Sequence, residues 1–263
     1  MAKSRLLIVR CAKCDLMYTS PRLTAQARLA LYELTDPRLR RKADQPECPP
    51  LSLFSSCLQR LEPFKRPRGR LLDVGCGMGS FLKAATEAGW TATGLDISAE
   101  CCRRARERAG VQVLQGTLPQ RAQHLAGAFD ALTMWQLLEH VQNPREELLA
   151  AHCALRPGGA LWIAVPDARA LTLAPRGLLP RLFYPGYRRR HYQAMPRIHL
   201  LHYTPATLGR LLERAGFRVV HTEAHPIDPQ GPAKNAWRRL LNRIFARLGF
   251  PWVLAIQAER PLQ

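Results

Sequence analysis

The segment Leu71-Leu72-Asp73-Val74-Gly75-Cys76-Gly77-Met78-Gly79-Ser80-Phe81-Leu82 constrains this chain more than any other. An apolar run that ends in closely spaced glycines and continues into a helical pattern reads as strand, tight turn and helix start. Glycines let the backbone turn sharply and let a ligand approach with no Cβ in the way. A dinucleotide site asks for Gly-x-Gly-x-x-Gly, whereas here the spacing is Gly75-x-Gly77-x-Gly79 and Ser80 stands at the third position. Asp73, two residues ahead of the first glycine, would repel a pyrophosphate. It suits a cofactor that carries an ammonium and a sulfonium and no phosphate.

From Arg70 onward strand and helix patterns alternate. Strands are expected at 70–75, 91–96, 111–115, 129–135, 160–165, 217–223 and 252–258. Helices are expected at 80–88, 99–109, 145–155 and 204–215, the last two closed by Arg156-Pro157-Gly158-Gly159 and by Gly216. Such alternation specifies an α/β fold, a mostly parallel sheet covered by helices on both faces, with ligands at the carboxyl ends of the strands. Residues 1–66 read as an irregular N-terminal extension with a Cys11-Ala12-Lys13-Cys14 knuckle and helices at 24–34 and 51–61. The basic linker Lys65-Arg66-Pro67-Arg68-Gly69 introduces a main domain at 67–263. That domain carries a proline- and arginine-rich insertion at 166–200 and a basic amphipathic helix at 236–248.

About 20 residues beyond the glycine loop, Gly94-Leu95-Asp96 ends the second strand with another carboxylate, placed to accept hydrogen bonds from both hydroxyls of a ribose. The alternative is that Asp96 caps the following helix ahead of Ser98. Together with Phe129-Asp130, Leu138-Glu139-His140-Val141 and Leu155-Arg156-Pro157-Gly158-Gly159, these residues resemble the class I methyltransferases that use S-adenosylmethionine (SAM). Within them the chain is similar to the ubiquinone-biosynthesis O-methyltransferase group, closely over 70–165 and more loosely through His202-Tyr203-Thr204 and Arg214-Ala215-Gly216-Phe217. The resemblance implies a Rossmann-like sheet of seven strands with an antiparallel last strand, methyl-transfer activity, and SAM as cofactor. By position it places Asp73, Gly75, Cys76, Gly77 and Gly79 at the methionine part and Asp96 with Ile97 at the ribose. Gly116-Thr117-Leu118 would lie beside the adenine, at a position where the family often carries an acid or amide. Trp135 and Gln136, ending the fourth strand, would line the methyl-transfer site.

Methyl transfer is an in-line displacement in which positioning carries most of the catalysis. A base is needed where the acceptor must lose a proton, and His140, just past the fourth strand, is placed for that work. His199 and Tyr203, with His202 between them, precede the late helix and are the further catalytic candidates. The related quinone enzymes suggest an alternative in which Glu139 and His140 help bind a divalent metal; a third option is that His140 orders the loop before Asn143-Pro144. The residues by themselves specify no metal site. Cys11-x-x-Cys14 and the run after it resemble the second half of a zinc knuckle that precedes some methyltransferases of this kind. Two thiolates do not close a tetrahedral site, and Cys48 and Cys57 would complete one only through a fold that the spacing does not specify.

A formal charge of +19, mostly from arginine, implies attraction to something anionic: nucleic acid, acidic lipid or a phosphorylated substrate. There is no apolar run of the ~18 residues a membrane span needs and no signal-peptide pattern. The eight cysteines therefore read as reduced thiols of a cytoplasmic protein, with peripheral contact to the inner membrane face as an option. At 236–248, Trp237, Leu240, Leu241, Ile244, Phe245 and Leu248 share one helical face and Arg238, Arg239, Arg243 and Arg247 cover the rest. Such a helix lies on an anionic membrane or packs on its own domain. With the insertion around Arg188-Arg189-Arg190, it is expected to form a lid over the acceptor. The expected activity is methyl transfer to a small-molecule or lipid-linked acceptor at oxygen. The alternative is an RNA-binding or RNA-directed protein. Trp135-Gln136-Leu137-Leu138 weakens that alternative, because base-methylating enzymes often carry Asn/Asp-Pro-Pro-aromatic there.

Overall fold

Two short strands, β1 (Leu7–Arg10) and β2 (Met17–Ser20), pair antiparallel around the Cys11–Cys14 turn, where Asp15 takes a left-handed φ of 68°. The computed structural model describes residues 7–22, 24, 27, 51–65, 69–169, 199–225 and 253–262. The expected helices at 24–34 and 236–248 and most of the 166–200 insertion lie outside the described residues. The hairpin corrects the expectation of an irregular extension. Its β2 strand pairs with β8 (Leu201–His202), some 180 residues along the chain, to make a small three-stranded sheet in the order β1-β2-β8.

Helix α1 (Leu51–Leu61) follows, then β3 (Arg70–Val74), α2 (Ser80–Glu87), β4 (Thr91–Asp96), α3 (Ala99–Ala109) and β5 (Gln112–Gln115). A one-turn helix α4 (Leu118–Arg121) leads to β6 (Phe129–Trp135), α5 (Pro144–Ala154) and β7 (Leu155–Pro166). After β8 come α6 (Pro205–Arg214), β9 (Arg218–His225) and β10 (Val253–Glu259). The large sheet runs β5-β4-β3-β6-β7-β10-β9, with β3 to β7 parallel and β10 antiparallel to both of its neighbours. This is the seven-stranded, mostly parallel arrangement with an antiparallel last strand. The order reverses between β3 and β6, so the loops after β3, β4 and β6 converge at one end of the sheet, where such folds take their ligands.

Period-2 alternation along the strands builds two cores. Leu72, Val74, Leu132, Met134, Ile163 and Ile256 pack with α5 and α6 on one face. Leu71, Ala131, Trp135, Trp162 and Ala255 pack with α1, α2 and α3 on the other. Every residue of β6 is buried, as a central parallel strand covered on both sides requires. Trp162, fully buried in β7, is a side chain whose truncation to alanine would cost about 3–5 kcal/mol. One boundary differs from the sequence reading. Arg156-Pro157-Gly158-Gly159 ends α5 but does not delay the next strand, because Gly158 N–H donates to Arg260 O and Arg260 N–H to Gly159 O, both at 2.9 Å. Those two bonds keep the Pro-Gly segment within β7.

Candidate functional site

Three turns in the glycine loop have left-handed backbone: Gly75 at φ 72°, Gly77 at 54° and Gly79 at 80°. At Gly79 the requirement is double, since a Cβ there would also come 2.9 Å from the Ala105 Cα of α3. The loop is strapped to the end of β4. Gly75 N–H and Cys76 N–H both donate to Leu95 O (2.7 and 3.1 Å), and Gly77 N–H donates to Asp96 Oδ2 at 2.9 Å. Asp96 Oδ1 accepts from Ser98 N–H at 2.9 Å, while the cap of α3 is Ser98 itself, whose Oγ accepts from Cys101 N–H. The carboxylate is thus committed to the glycine loop and the β4–α3 turn rather than to a helix terminus. Each carboxylate oxygen has a second lone pair with which it can accept a further bond.

Asp73 lies beneath the loop at 1% exposure and accepts from Thr133 Oγ1 at 2.7 Å. Burial, aided by the charge of Asp96 and opposed by the Thr133 hydrogen bond, pushes its carboxyl up to about 8. An acid so placed regains its charge when a cation is brought beside it. The buried Cys76 thiol is also raised, by burial first, and packs over Gly94, where a Cβ would lie 2.9 Å from its Sγ. Ile97, beyond Asp96, is one of the few large apolar side chains left exposed among the described residues. Gly116 N–H donates to Asp96 O at 2.9 Å, which sets Thr117 and the buried Leu118 beside the end of β4. The Thr117 N–H is taken by Gln120 Oε1 at the start of α4.

Trp135 ends β6 against Phe54 of α1 and Phe81 of α2, each with ring centroids 5.0 Å away, and its indole N–H is buried without a partner. The next residue, Gln136, has φ 50°, a conformation that non-glycine side chains rarely adopt and that is stored mainly at functional sites. Its N–H donates to Ala164 O at 2.8 Å.

A second cluster follows. Glu139 is 1% exposed, neither of its carboxylate oxygens has a hydrogen-bond partner, and burial pushes it up to about 8. One ligating atom each from Glu139, His140 and His199 all lie within 4.8 Å of one another, and the two imidazoles meet edge to face with centroids 4.7 Å apart. His199 Nδ1 is buried with no partner; burial, then the neighbouring His140 and His202, holds the ring well below its ordinary range. The segment bearing His199 is pinned from two sides. Leu200 N–H and Leu201 N–H donate to Glu139 O (2.8 and 3.2 Å), and Thr19 Oγ1 of β2 donates to His199 O at 2.8 Å. With its proton so used, Thr19 Oγ1 accepts from His202 Nε2 at 3.3 Å. His202 is kept neutral by burial, which lowers it to about 4. Tyr203, fully buried, donates its hydroxyl to Leu138 O at 3.4 Å and braces the loop that carries Glu139.

Of the residues picked from sequence, Asp73, Gly75, Cys76, Gly77, Gly79, Asp96, Ile97, Thr117 and Leu118 surround the ends of β3 and β4. Trp135 and Gln136 end β6, and His140 and His199 meet beside Glu139. Sequence reasoning missed Thr133 and Thr19. Thr133 was detectable as the one hydroxyl in the otherwise apolar stretch Ala131–Trp135, whereas Thr19 carries no local signal.

Residues 51–222 match the family model described as a methyltransferase domain. Among curated relatives, the chain is 32% identical over 197 residues to a ubiquinone biosynthesis O-methyltransferase of Xanthomonas axonopodis pv. citri, covering 71% of this chain and 79% of the relative. Among solved structures it resembles an S-adenosylmethionine-dependent methyltransferase from Mesorhizobium loti, with TM-score 0.54 and 22% identity over 77% of this chain and 96% of the other. It also resembles the cyclase SpnF, with TM-score 0.59 and 18% identity over 92% and 99%. At such identities the two structures speak for the fold alone.

Proposed function

The chain belongs to the methyltransferase-domain family and is a SAM-dependent methyltransferase, and on that premise we propose that it methylates an oxygen of a small-molecule acceptor. The observation that carries the reading is the glycine loop tied through Gly77 to Asp96 above the buried Asp73. This cradle fits SAM: its turns exclude a Cβ, and its buried acid lacks a cation. SAM supplies a methyl group made electrophilic by a sulfonium. Asp73, Gly75, Cys76, Gly77 and Gly79 would hold the methionine part, Asp96 and Ile97 the ribose, and Thr117 and Leu118 would flank the adenine. Trp135 and Gln136 would line the methyl-transfer site, where the unusual Gln136 backbone fixes the loop that leaves β6.

The acceptor proton is managed at the Glu139–His140–His199 corner, where His140 serves as base. The alternative to a base is a divalent cation, which fits here because the Glu139 carboxylate is buried with no hydrogen-bond partner. Glu139 and His140 would hold it, and when bound it would supply the Lewis acidity that lowers the acceptor hydroxyl's pKa. The matched relative is named for ubiquinone biosynthesis, which favours a phenolic, lipid-linked acceptor. The basic amphipathic segment at 236–248 would bring such an acceptor from an anionic membrane surface. An RNA-directed activity gains no support from the family. The test is transfer of labelled methyl from SAM to polyprenylated catechols, simple catechols and bulk RNA. Label on the catechols and not on RNA is expected; label on RNA alone overturns the acceptor class.

A further inference from the structure

The Glu139 carboxylate has no hydrogen-bond partner for either oxygen, and two imidazoles approach it from different parts of the chain. His140 is its neighbour in sequence, with Nε2 3.9 Å from Glu139 Oε1, too long for a hydrogen bond. His199 arrives from 60 residues downstream, on the segment that enters β8, and its Nδ1 is buried without a partner. A buried carboxylate and a buried imidazole nitrogen that face the same small space, each short of a partner, are costly to leave so. A cation that accepts lone pairs would partner both at once, with the His140 imidazole close enough to join them, since one ligating atom from each of the three lies within 4.8 Å of the others.

We propose that His199 is the third protein ligand of a divalent-cation site with Glu139 and His140, and that the cation thereby clamps the β1-β2-β8 sheet to the catalytic loop. The proposal rests on the cation reading above and adds to it the ligand from outside the Glu139-His140 pair and its structural consequence. Two imidazoles and one carboxylate form a borderline donor set, suited to Zn²⁺ or Mn²⁺ rather than to Mg²⁺ or Ca²⁺, which prefer oxygen alone. Three protein ligands leave positions open for water or an acceptor oxygen, the pattern of a catalytic rather than a structural site. The clamp follows from the bonds around His199. Its carbonyl accepts from Thr19 of β2, the next two residues donate to Glu139 O, and β8 pairs with β2. Thr19 also engages His202, so the backbone of the His199–His202 segment is held by hydrogen bonds independent of the metal. A cation held by His199 would therefore strengthen the seam between the hairpin and the large domain, beside the bond from Arg210 of α6 to Cys14 O.

The experiment uses the full chain, stripped with chelator and titrated with Mn²⁺, followed by water-proton relaxation. Mn²⁺ is chosen because it avoids the Cys11–Cys14 thiolates, which prefer softer metals. Saturation at one ion per chain is expected. His199→Ala and the milder His199→Asn should each weaken it by about a hundredfold, the upper end of what loss of a single supporting residue costs. S-adenosylhomocysteine binding, measured in parallel, should be unchanged and reports that each variant is folded. Hydrogen exchange at the amides of Thr19, Leu200 and Leu201 should slow on adding Mn²⁺ to the unaltered chain and not to His199→Asn. If the His199 variants keep full Mn²⁺ affinity while Glu139→Gln loses it, the third-ligand assignment is wrong and the cation reading stands. If the unaltered chain binds no Mn²⁺, both fall and His140 is left as base. If Mn²⁺ binds through His199 but exchange at these amides does not change, the clamp is wrong.

Discussion

Asp73 is an acid placed where no sheet needs one, in the middle of an apolar strand. Its charge would cost stability at neutral pH, and its carboxyl is accordingly raised to about 8, from near 4 in an unfolded chain, mainly by burial. The sign of the linkage is fixed by that rise: stability from Asp73 is complete below pH 4 and is lost as pH climbs through 8. A cofactor ammonium reverses the balance, because it favours the carboxylate. Binding of S-adenosylhomocysteine is therefore expected to release about one proton at pH 7 and to tighten as pH rises from 6 to 8. Calorimetry in buffers of differing ionisation enthalpy reads this directly, and Asp73→Asn should abolish the release. An unchanged release in that variant would assign the proton to another group. Asp73 and Asp96 were legible in the sequence because a carboxylate within or closing an apolar strand pattern is conspicuous. The Glu139–His199 meeting was not, since only the tertiary path of β8 brings the two together.

At the scale of elements, the glycines make a quantitative contrast. Gly79 and Gly110 both have left-handed backbone, φ 80° and 66°, but an added Cβ meets the Ala105 backbone at Gly79 and nothing within 4 Å at Gly110. Gly110→Ala, at the C-terminus of α3, is expected to cost about 1–2 kcal/mol from backbone strain alone. Gly79→Ala adds steric overlap to that strain and should cost roughly 1–3 kcal/mol more. Urea unfolding of the two variants checks the order; equal losses would mean that α3 yields readily at Ala105. Helices at 51–61 and 99–109 and strands at 91–96 and 129–135 matched the sequence reading to the residue. Strong periodicity and local stops, such as Ser98 before α3 and Gly110 after it, define those ends. The elements not foreseen are held by distant partners: β1 and β2 by each other and by β8, the start of β7 by Arg260. A one-turn helix such as α4 offers too short a window for periodicity to register.

For the whole molecule, the excess of +19 asks for an anionic partner, and the arginines at 236–248 alternate with large apolar residues. A surface that only tracks phosphates needs charge, whereas an interfacial helix needs an apolar face as well. The chain is expected to float with anionic and not with neutral liposomes, and the doubly altered Ile244→Ser, Phe245→Ser chain should lose that binding while retaining S-adenosylhomocysteine. Flotation unaffected by these changes would place the contact elsewhere. Methyl transfer by this chain depends on SAM being held between the glycine loop and the end of β4. The most direct measurement is calorimetric titration of the purified chain with S-adenosylhomocysteine, beside Asp96→Ala. One ligand per chain at micromolar affinity is predicted, weakened by about 1–3 kcal/mol in the variant, whose ribose partners lose their acceptor. Binding by the folded Asp96→Ala chain as tight as by the unaltered one, or no binding by either, would contradict the site described.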